Sequence, residues 1–494
     1  MLCVSIGRGR HKHMIAEYKH LAEQGVKLVE LRLDYIDRDV NLKRLLADRP
    51  CPMIITCRRE RDGGRWTRSE EERQMLLRTA IVEKVDYIDL EDDIAAKVPR
   101  YGQTKRIISY HNFRETPANL DELYARLSAC DADIVKIATM AHSPHDNVRM
   151  WRMIKQAQLP TVGLCMGEIG TPTRILSNKF GSAFTYATFH HERSLAPGQL
   201  GYKQMIDTYH FDSIEPQTEI YGVIADPIGH SLSPVIHNAA FQHLKMNRVY
   251  VPFRVPREDL KQFLVDCDEL GIKGLSVTIP HKEEVIPHLT KSDSSVVGIG
   301  AANTIIFKDQ ERTAYNTDYR AAMDSLERAV GDLTTDKPFA NKTVLILGAG
   351  GVSKALAYGC KRRGGDVVVT SRTSERATEL AERVGGRAVE WEQRHNIMPD
   401  ILINGTPIGM HPNVDETPYE RRHLRPSTIV FDTVYNPEST LLIKEARQQG
   451  CTVITGVDMF VGQAALQFKL FTGHDAPLEI MRQEMKRAIG PAKY

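Results

Sequence analysis

The sequence predicts an α/β protein: a (β/α)8 barrel followed by two further strand–helix sections. Three observations predict it. Eight short apolar runs alternate with amphipathic stretches over the first ~210 residues, a polar break follows, and a glycine cluster opens a fresh series after Lys342. The runs lie at 2–7, 27–34, 52–58, 85–91, 104–110, 133–139, 161–166 and 184–189, with helix-periodic segments such as 14–24, 69–83 and 143–157 between them. Such alternation implies parallel strands joined by helical crossovers, and eight units suit a closed barrel at the short end of its size range. An open sheet with the same alternation is the competing arrangement.

The break, Tyr209–Thr218, is polar and contains Pro216, which places a domain boundary near residue 213. A strand at 219–225, a helix at 234–245, a strand at 248–254, a helix at 257–269 and a strand at 272–277 follow, then a helix-periodic segment at 318–330. From Lys342 the apolar run Thr343–Leu347 leads into the glycine cluster and another strand–helix series. No internal repeat or low-complexity segment interrupts this order.

Composition narrows the function. Across 494 residues, 65 Lys and Arg face 63 Asp and Glu, a net charge of +2. Bulk electrostatics therefore favour neither nucleic acid nor an anionic membrane as partner. No apolar run approaches the ~18–20 residues that span a bilayer. The chain enters a strand-like stretch at Met1-Leu2-Cys3-Val4-Ser5-Ile6, with no targeting segment expected ahead of it. Eight scattered cysteines form no CxxC pair, so reduced thiols in a cytoplasmic enzyme are expected, with no disulfide or metal site.

Ionisable residues inside apolar strands mark the barrel's chemistry. Lys136 stands between Val135 and Ile137 in the run 133–139. Desolvation there disfavours an ammonium, and a neutral amine is what imine formation with a ketone requires. A lysine paired with a carboxylate at the rim is the plainer explanation of that residue taken singly. Glu30 and Arg32 alternate along one strand and so point the same way, Arg58 and His111 close two others, and Arg174 follows the seventh as a carboxylate clamp. At the C-terminal ends of parallel strands these groups converge on one mouth.

These stretches resemble type I 3-dehydroquinate dehydratase: Glu30-Leu-Arg32, Arg58 before Gly63-Gly64, Tyr110-His111-Asn-Phe, Asp133-Ile-Val-Lys136-Ile-Ala, and Phe180-Gly-Ser before Ala196-Pro-Gly-Gln199. The resemblance, over residues 1–213, implies that Lys136 forms the Schiff base and His111 shuttles the proton. Arg58 and Arg174 would take the anion and hydroxyls, and Ser5, Glu30, Arg32 and Gln199 complete the substrate contacts. Two positions depart from the family: Asp62 replaces the glutamate that orients the histidine, with Glu60 as a possible stand-in, and Leu195 replaces a serine, with Ser194 one place earlier.

In the second half, Gly348-Ala349-Gly350-Gly351 follows an apolar strand and opens a helix, the context of a dinucleotide site, with Ser353 at the third glycine position. The next strand ends in Ser371-Arg372-Thr373, with Arg376 close by, where an NAD site wants an acid. Arg372 suits a 2′-phosphate and so favours NADP, exposed helix-start charge being the alternative. Lys282 and Asp318 are candidates to exchange a proton with an alcohol, although such a lysine is more often a solvated helix-start residue.

Residues 219–494 resemble shikimate dehydrogenase through nine ordered motifs. They are Asp226-Pro-Ile-Gly-His-Ser231-Leu-Ser233, Val277-Thr278-Ile-Pro-His-Lys282, Gly300-Ala-Ala-Asn303, Asn316-Thr-Asp318, the glycine turn, Ser371-Arg372-Thr373, Asn404-Gly-Thr406, Asp432-Thr-Val-Tyr435, and Gly456-Val-Asp-Met-Phe-Val-Gly-Gln463. By this resemblance Lys282 is the acid/base group, and Ser231, Ser233, Thr278, Asn303, Asp318, Tyr435 and Gln463 bind substrate. Gly348, Ala349, Gly350, Gly351, Ser371, Arg372, Thr373, Thr406 and Gly456 hold NADP, and the last helices fold back on the substrate domain. Ser371 stands where the family usually has asparagine.

The expected organisation is a dehydratase barrel at 1–213, a substrate domain at 214–330 completed by 457–494, and a Rossmann-type NADP-binding domain at 331–456. The expected function is dehydration of 3-dehydroquinate to 3-dehydroshikimate and its NADPH-dependent reduction to shikimate. Other readings of the same residues are an aldolase-like lyase joined to a quinate dehydrogenase, a quinate/shikimate-type dehydrogenase fused to a dehydratase, and a regulator that keeps the nucleotide fold without catalysis.

Overall fold

A computed structural model describes residues 1–229, 231–331 and 335–490. The chain divides into two compact units. The first comprises Met1–Ile220 with Asp226–Ser231 and Asn247–Gly271, and the second comprises Tyr221–Ala225, Leu232–Met246 and the chain from Ile272 onward.

In the first unit, eight parallel strands are ordered β7-β6-β5-β4-β3-β2-β1-β8: β1 (Leu2–Ile6), β2 (Leu28–Arg32), β3 (Met53–Thr56), β4 (Tyr87–Glu91), β5 (Lys105–Asn112), β6 (Ile134–Met140), β7 (Thr161–Met166) and β8 (Thr185–Thr188). β1 pairs with both β2 and β8, and the Ala183 amide donates to the Thr161 carbonyl at 2.8 Å, nearly closing the ring. The open-sheet alternative is thereby removed.

The period of two along each strand sorts the barrel interior into layers. Cys3, Leu28, Ile54, Ile107, Ile134, Val162 and Phe184 pack together as an apolar floor. Two residues further along each strand the same face carries Ser5, Glu30, Thr56, Asp89, Ser109, Lys136, Leu164 and Tyr186. The next step carries Arg32, Arg58, Glu91, His111, Ala138 and Met166. A polar layer thus rests on an apolar one by strand geometry. Two outer helices open on reciprocal capping boxes, one from Ser69 and Glu72 and one from Ser143 and Asp146.

Beyond the barrel, a six-stranded mixed sheet has the order β10-β9-β11-β13-β14-β12, from β9 (Glu219–Ala225), β10 (Arg248–Arg254), β11 (Ile272–Val277), β12 (Lys291–Ser292), β13 (Thr304–Lys308) and β14 (Glu311–Tyr315). The antiparallel β13–β14 hairpin is absent from the sequence expectation. Its turn, Asp309-Gln310, has both φ angles positive, at 50° and 64°, a conformation that Asn-Gly usually signals. Helix 478–489 packs on helix 233–243, burying Met481 and Met485, while helix 456–472 packs on helix 317–330.

The last sheet is all parallel: β15 (Thr343–Leu347), β16 (Asp366–Thr370), β17 (Arg387–Ala388), β18 (Ile401–Asn404), β19 (Ile429–Asp432) and β20 (Thr452–Ile454), ordered β17-β16-β15-β18-β19-β20. The order reverses between β15 and β18, the switch point where doubly wound sheets bind ligands. Among the described residues no helix is long and apolar enough to cross a membrane, and no His/Cys/Asp/Glu cluster could hold a metal ion.

Candidate active sites

All eight barrel residues singled out from sequence line one cavity: Ser5, Glu30, Arg32, Arg58, His111, Lys136, Arg174 and Gln199. Lys136 is 5% exposed, yet its surroundings correct the apolar environment expected from Val135 and Ile137. Those neighbours point outward from the barrel, whereas Nζ points inward and donates to Asp89 Oδ2 at 3.0 Å. Glu30 Oε1 lies 3.9 Å away, and the Tyr186 ring centroid 4.2 Å. The lysine is therefore held in an ion pair, not in a greasy pocket.

The rest of the polar layer is tightly cross-linked. Ser5 Oγ and Thr56 Oγ1 donate to the two Glu30 oxygens at 2.6 and 2.7 Å. Arg58 donates to Asp89 at 2.7 Å, Glu91 at 2.8 Å and Ser109 at 3.0 Å, and Arg32 makes two bonds to Asp34. Burial opposes the charge on Asp89, but Arg58 and Lys136 together hold its carboxyl far below the usual range. Arg58 thus lines the cavity while paired with carboxylates of the chain itself.

Arg174 differs. It is 2% exposed and has no carboxylate partner among the described residues; its guanidinium reaches only the Tyr186 and Pro197 carbonyls at 3.5 and 3.4 Å, and Nε is buried without a partner. Burial brings its pKa down to about 10. A buried, unpaired guanidinium lining a cavity is the local chemistry of an anion site.

His111 is pushed well below the ordinary histidine range by burial, with Arg58 and Lys136 adding to the effect, so it is neutral and able to accept a proton. Its Nδ1 is buried with no partner. Asp62, which stands in the place of the orienting glutamate, lines the cavity but accepts from Arg59 Nε at 2.6 Å, and Glu60 is exposed and does not stand in for it. Phe113 stacks on the His111 ring at 6.5 Å between centroids. Ser194 turns to the Ala196 carbonyl at 2.6 Å, while Gln199 Oε1 accepts from the Leu195 and Ala196 amides and shapes that loop.

Asp89, Glu91, Ser109 and Tyr186 belong to this constellation and were not singled out from sequence. The signal was present for the two acids: Ile88-Asp89-Leu90-Glu91 alternates as Glu30 and Arg32 do.

In the second unit Lys282 Nζ donates to Asp318 Oδ2 at 2.6 Å, both side chains largely buried. Asn303 Oδ1 accepts from the Thr317 amide at 2.8 Å, and its Nδ2 donates to Thr317 Oγ1 at 2.9 Å and Gln463 Oε1 at 3.4 Å. Tyr435 packs on Phe460 at 4.8 Å. Ser233 opens helix 233–243, Thr278 follows β11, and Ser231 ends the segment Asp226–Ser231, which clusters with the first unit.

The glycine turn fits a dinucleotide. Gly348 has φ of +101°, open to glycine, and its amide donates to the Thr370 carbonyl at 2.7 Å. Gly350 caps helix 351–362 facing open space, and a Cβ on Gly351 would lie 3.5 Å from Lys282 Cδ. Ser353 replaces the third glycine because the room is made opposite: a Cβ on Gly405 would lie 2.2 Å from Ser353 Oγ. Arg372 and Arg376 are exposed at the start of helix 374–384, beside Ser371 and Thr373. Thr406 Oγ1 donates to Asn404 Oδ1 at 2.7 Å. Ala349 is nearly buried beside the turn, and Gly456 meets the Val434 carbonyl where a Cβ would fall 2.2 Å from it.

Comparison with known proteins finds matches for both halves of the chain. The type I 3-dehydroquinase family matches residues 2–216, the shikimate dehydrogenase substrate binding domain 223–305, and the shikimate 5'-dehydrogenase C-terminal domain 456–486. A profile of F420-dependent NADP oxidoreductases matches 343–434. A solved shikimate dehydrogenase in complex with NADP+ is 35% identical, with a TM-score of 0.52, over 56% of this chain and 98% of that one. The Thermus thermophilus enzyme in complex with NADP(H) and shikimate is 30% identical, with a TM-score of 0.50, over 55% and 99%. The chloroplastic bifunctional 3-dehydroquinate dehydratase/shikimate dehydrogenase of Arabidopsis thaliana is 40% identical over 99% of this chain and 84% of its own. With its barrel and its nucleotide fold each matched in the same order, the chain belongs to the bifunctional 3-dehydroquinate dehydratase/shikimate dehydrogenase family.

Proposed function

We propose that dehydration proceeds through an imine on Lys136, and that Lys282 and Asp318 manage the proton when the resulting ketone is reduced. The observation that carries the first part is one cavity holding a buried lysine, a neutral histidine and an unpaired arginine.

The substrate carboxylate pairs with Arg174, the one cavity arginine that carboxylates of the chain leave unengaged. Lys136 gives up a proton and attacks the ketone carbon; water leaves and an iminium forms. That cation occupies the place of the ammonium beside Asp89, so the ion pair persists through the reaction. The iminium draws electrons from the adjacent carbon, His111 removes its proton, and the β-hydroxyl leaves as water on taking that proton back. Hydrolysis of the imine returns Lys136 and the enone product. Ser5, Glu30, Arg32 and Gln199 define where the hydroxyls sit.

For the reduction, Ser231, Ser233, Thr278, Asn303, Tyr435 and Gln463 bind the carboxylate and ring hydroxyls. Gly348, Ala349, Gly350, Gly351, Thr406 and Gly456 cradle NADPH, and Ser371, Arg372 and Thr373 take its 2′-phosphate. The cofactor, when bound, supplies hydride for the carbonyl carbon. Lys282, hydrogen-bonded to Asp318, delivers a proton to the carbonyl oxygen, and Asp318 holds the amine in place.

The proposal assigns dehydration to 1–213, substrate binding to 214–330 with 457–494, and cofactor binding to 331–456. It places the enzyme in the cytoplasm, where eight free thiols are stable, acting on small molecules and not on nucleic acid or membranes.

Borohydride added with 3-dehydroquinate tests the imine. A reduced adduct on the peptide holding Lys136, absent in Lys136→Ala, is the expected result. Full inactivation without an adduct, or an adduct on another lysine, overturns the mechanism.

A further inference from the structure

Tyr186 has no role in the scheme above, yet it touches the centre of it. The residue lies on β8, is 3% exposed and lines the cavity. Its ring faces Lys136 Nζ, 4.2 Å from the centroid, while Phe184 packs against it edge-on at 5.4 Å. Nζ is thus bounded by Asp89 on one side and by an aromatic face on another. The phenol oxygen is buried with no hydrogen-bond partner, so the tyrosine is not kept in this orientation by its hydroxyl.

We propose that Tyr186 is a positioning residue for Lys136, its ring face stabilising the cationic iminium over the neutral carbinolamine that precedes it. The inference rests on imine formation at Lys136. Its physical basis is the quadrupole of the ring. An aromatic face attracts a cation in a desolvated site, the resting ammonium and the iminium alike, and gains nothing comparable from the neutral carbinolamine between them. Asp89 acts with the same sign, but a carboxylate also accepts a hydrogen bond from a neutral amine. The ring therefore discriminates by charge alone. It also covers part of the surface of Nζ, which narrows the directions from which a ketone carbon arrives.

The test uses the full-length chain with Tyr186 replaced by Phe, Leu and a series of progressively fluorinated phenylalanines. Fluorination leaves ring size nearly constant and drains the quadrupole. The readout is the fraction of enzyme trapped by borohydride at saturating 3-dehydroquinate, together with kcat and KM for dehydration. Shikimate oxidation with NADP+ by the same preparations reports that the chain is folded.

Tyr186→Phe is expected to stay within about threefold of the parent, and Tyr186→Leu to lose about tenfold in trapped fraction and kcat with little change in KM. The fluorinated series should decline in step with fluorine number. A flat fluorinated series, or a Phe variant as impaired as the Leu variant, overturns the ring-face role. If the parent enzyme itself shows no adduct on Lys136, it is the imine mechanism that fails, and the two failures are told apart.

Discussion

The dehydratase cavity and the reductase site solve the same problem, stabilising charge at a carbonyl, in opposite ways. In the barrel the charges are already paired off: Arg58, Asp89, Glu91, Glu30 and Lys136 form a connected network, and Arg174 alone is left unengaged. In the second unit the Lys282–Asp318 ion pair lies beside an open glycine turn with exposed arginines near it. A site whose reagent is one of its own side chains builds its electrostatics in advance. A site whose reagent arrives from solution leaves its cationic groups exposed for it.

Four experiments break or sharpen that contrast. The largest effect is expected from Lys282→Ala, which should lower ketone reduction about 10^3-fold while dehydration by the same chain is unchanged. Reduction within tenfold of the parent would remove Lys282 from the acid/base role. Next, Arg174→Met should lower kcat/KM for dehydration roughly 100-fold, mostly through KM. The same change should raise the melting temperature, because it removes a desolvated cation that carboxylates of the chain leave unpaired. A fall in stability together with unchanged KM would show that Arg174 is structural.

A smaller effect is expected at the exposed cofactor side. Arg372→Ala should raise the KM for NADP+ about tenfold and leave that for NAD+ unchanged. Equal effects on both nucleotides would detach Arg372 from the 2′-phosphate.

The smallest concerns pH. His111 is depressed in the folded chain, so it stays neutral as pH falls through 6.5, the ordinary histidine value. Dehydratase kcat/KM should therefore be flat through that value, with its acid limb below it. The unfolded chain does protonate there, so the His111 contribution to stability is present above 6.5 and is lost as pH falls toward the folded value. An acid limb at the ordinary histidine value would mean that His111 is solvated in the working enzyme.

How much of this was legible follows from particular residues. Glu30 and Arg32 were readable as inward-facing because they alternate in an apolar strand, and the structure puts both on the cavity wall. Asp89 and Glu91 carry the same alternation and could have been found by the same argument. The setting of Lys136 is not legible from its neighbours, since Val135 and Ile137 lie on the outer face of the strand and its own side chain on the inner one. The β13–β14 hairpin escaped because Asp309-Gln310 lacks the usual turn residues, although it adopts their conformation. The Ser353 substitution became intelligible with Gly405 opposite it, 52 positions away in the chain.

Strand periodicity and the spacing of glycines are local, and they were enough for eight strand–helix units, a nucleotide-binding turn and the side chains that share a strand face; closure into a barrel was not among them. Pairing is not local. Asp89 reaches Lys136 across 47 positions, and Arg58 reaches Asp89 across 31. Tyr186 meets the lysine because β8 returns to β1. Ring closure decided that one arginine would be left without a carboxylate, and the physical reason is that charge compensation depends on distance through space, which a parallel barrel sets by register and not by position along the chain.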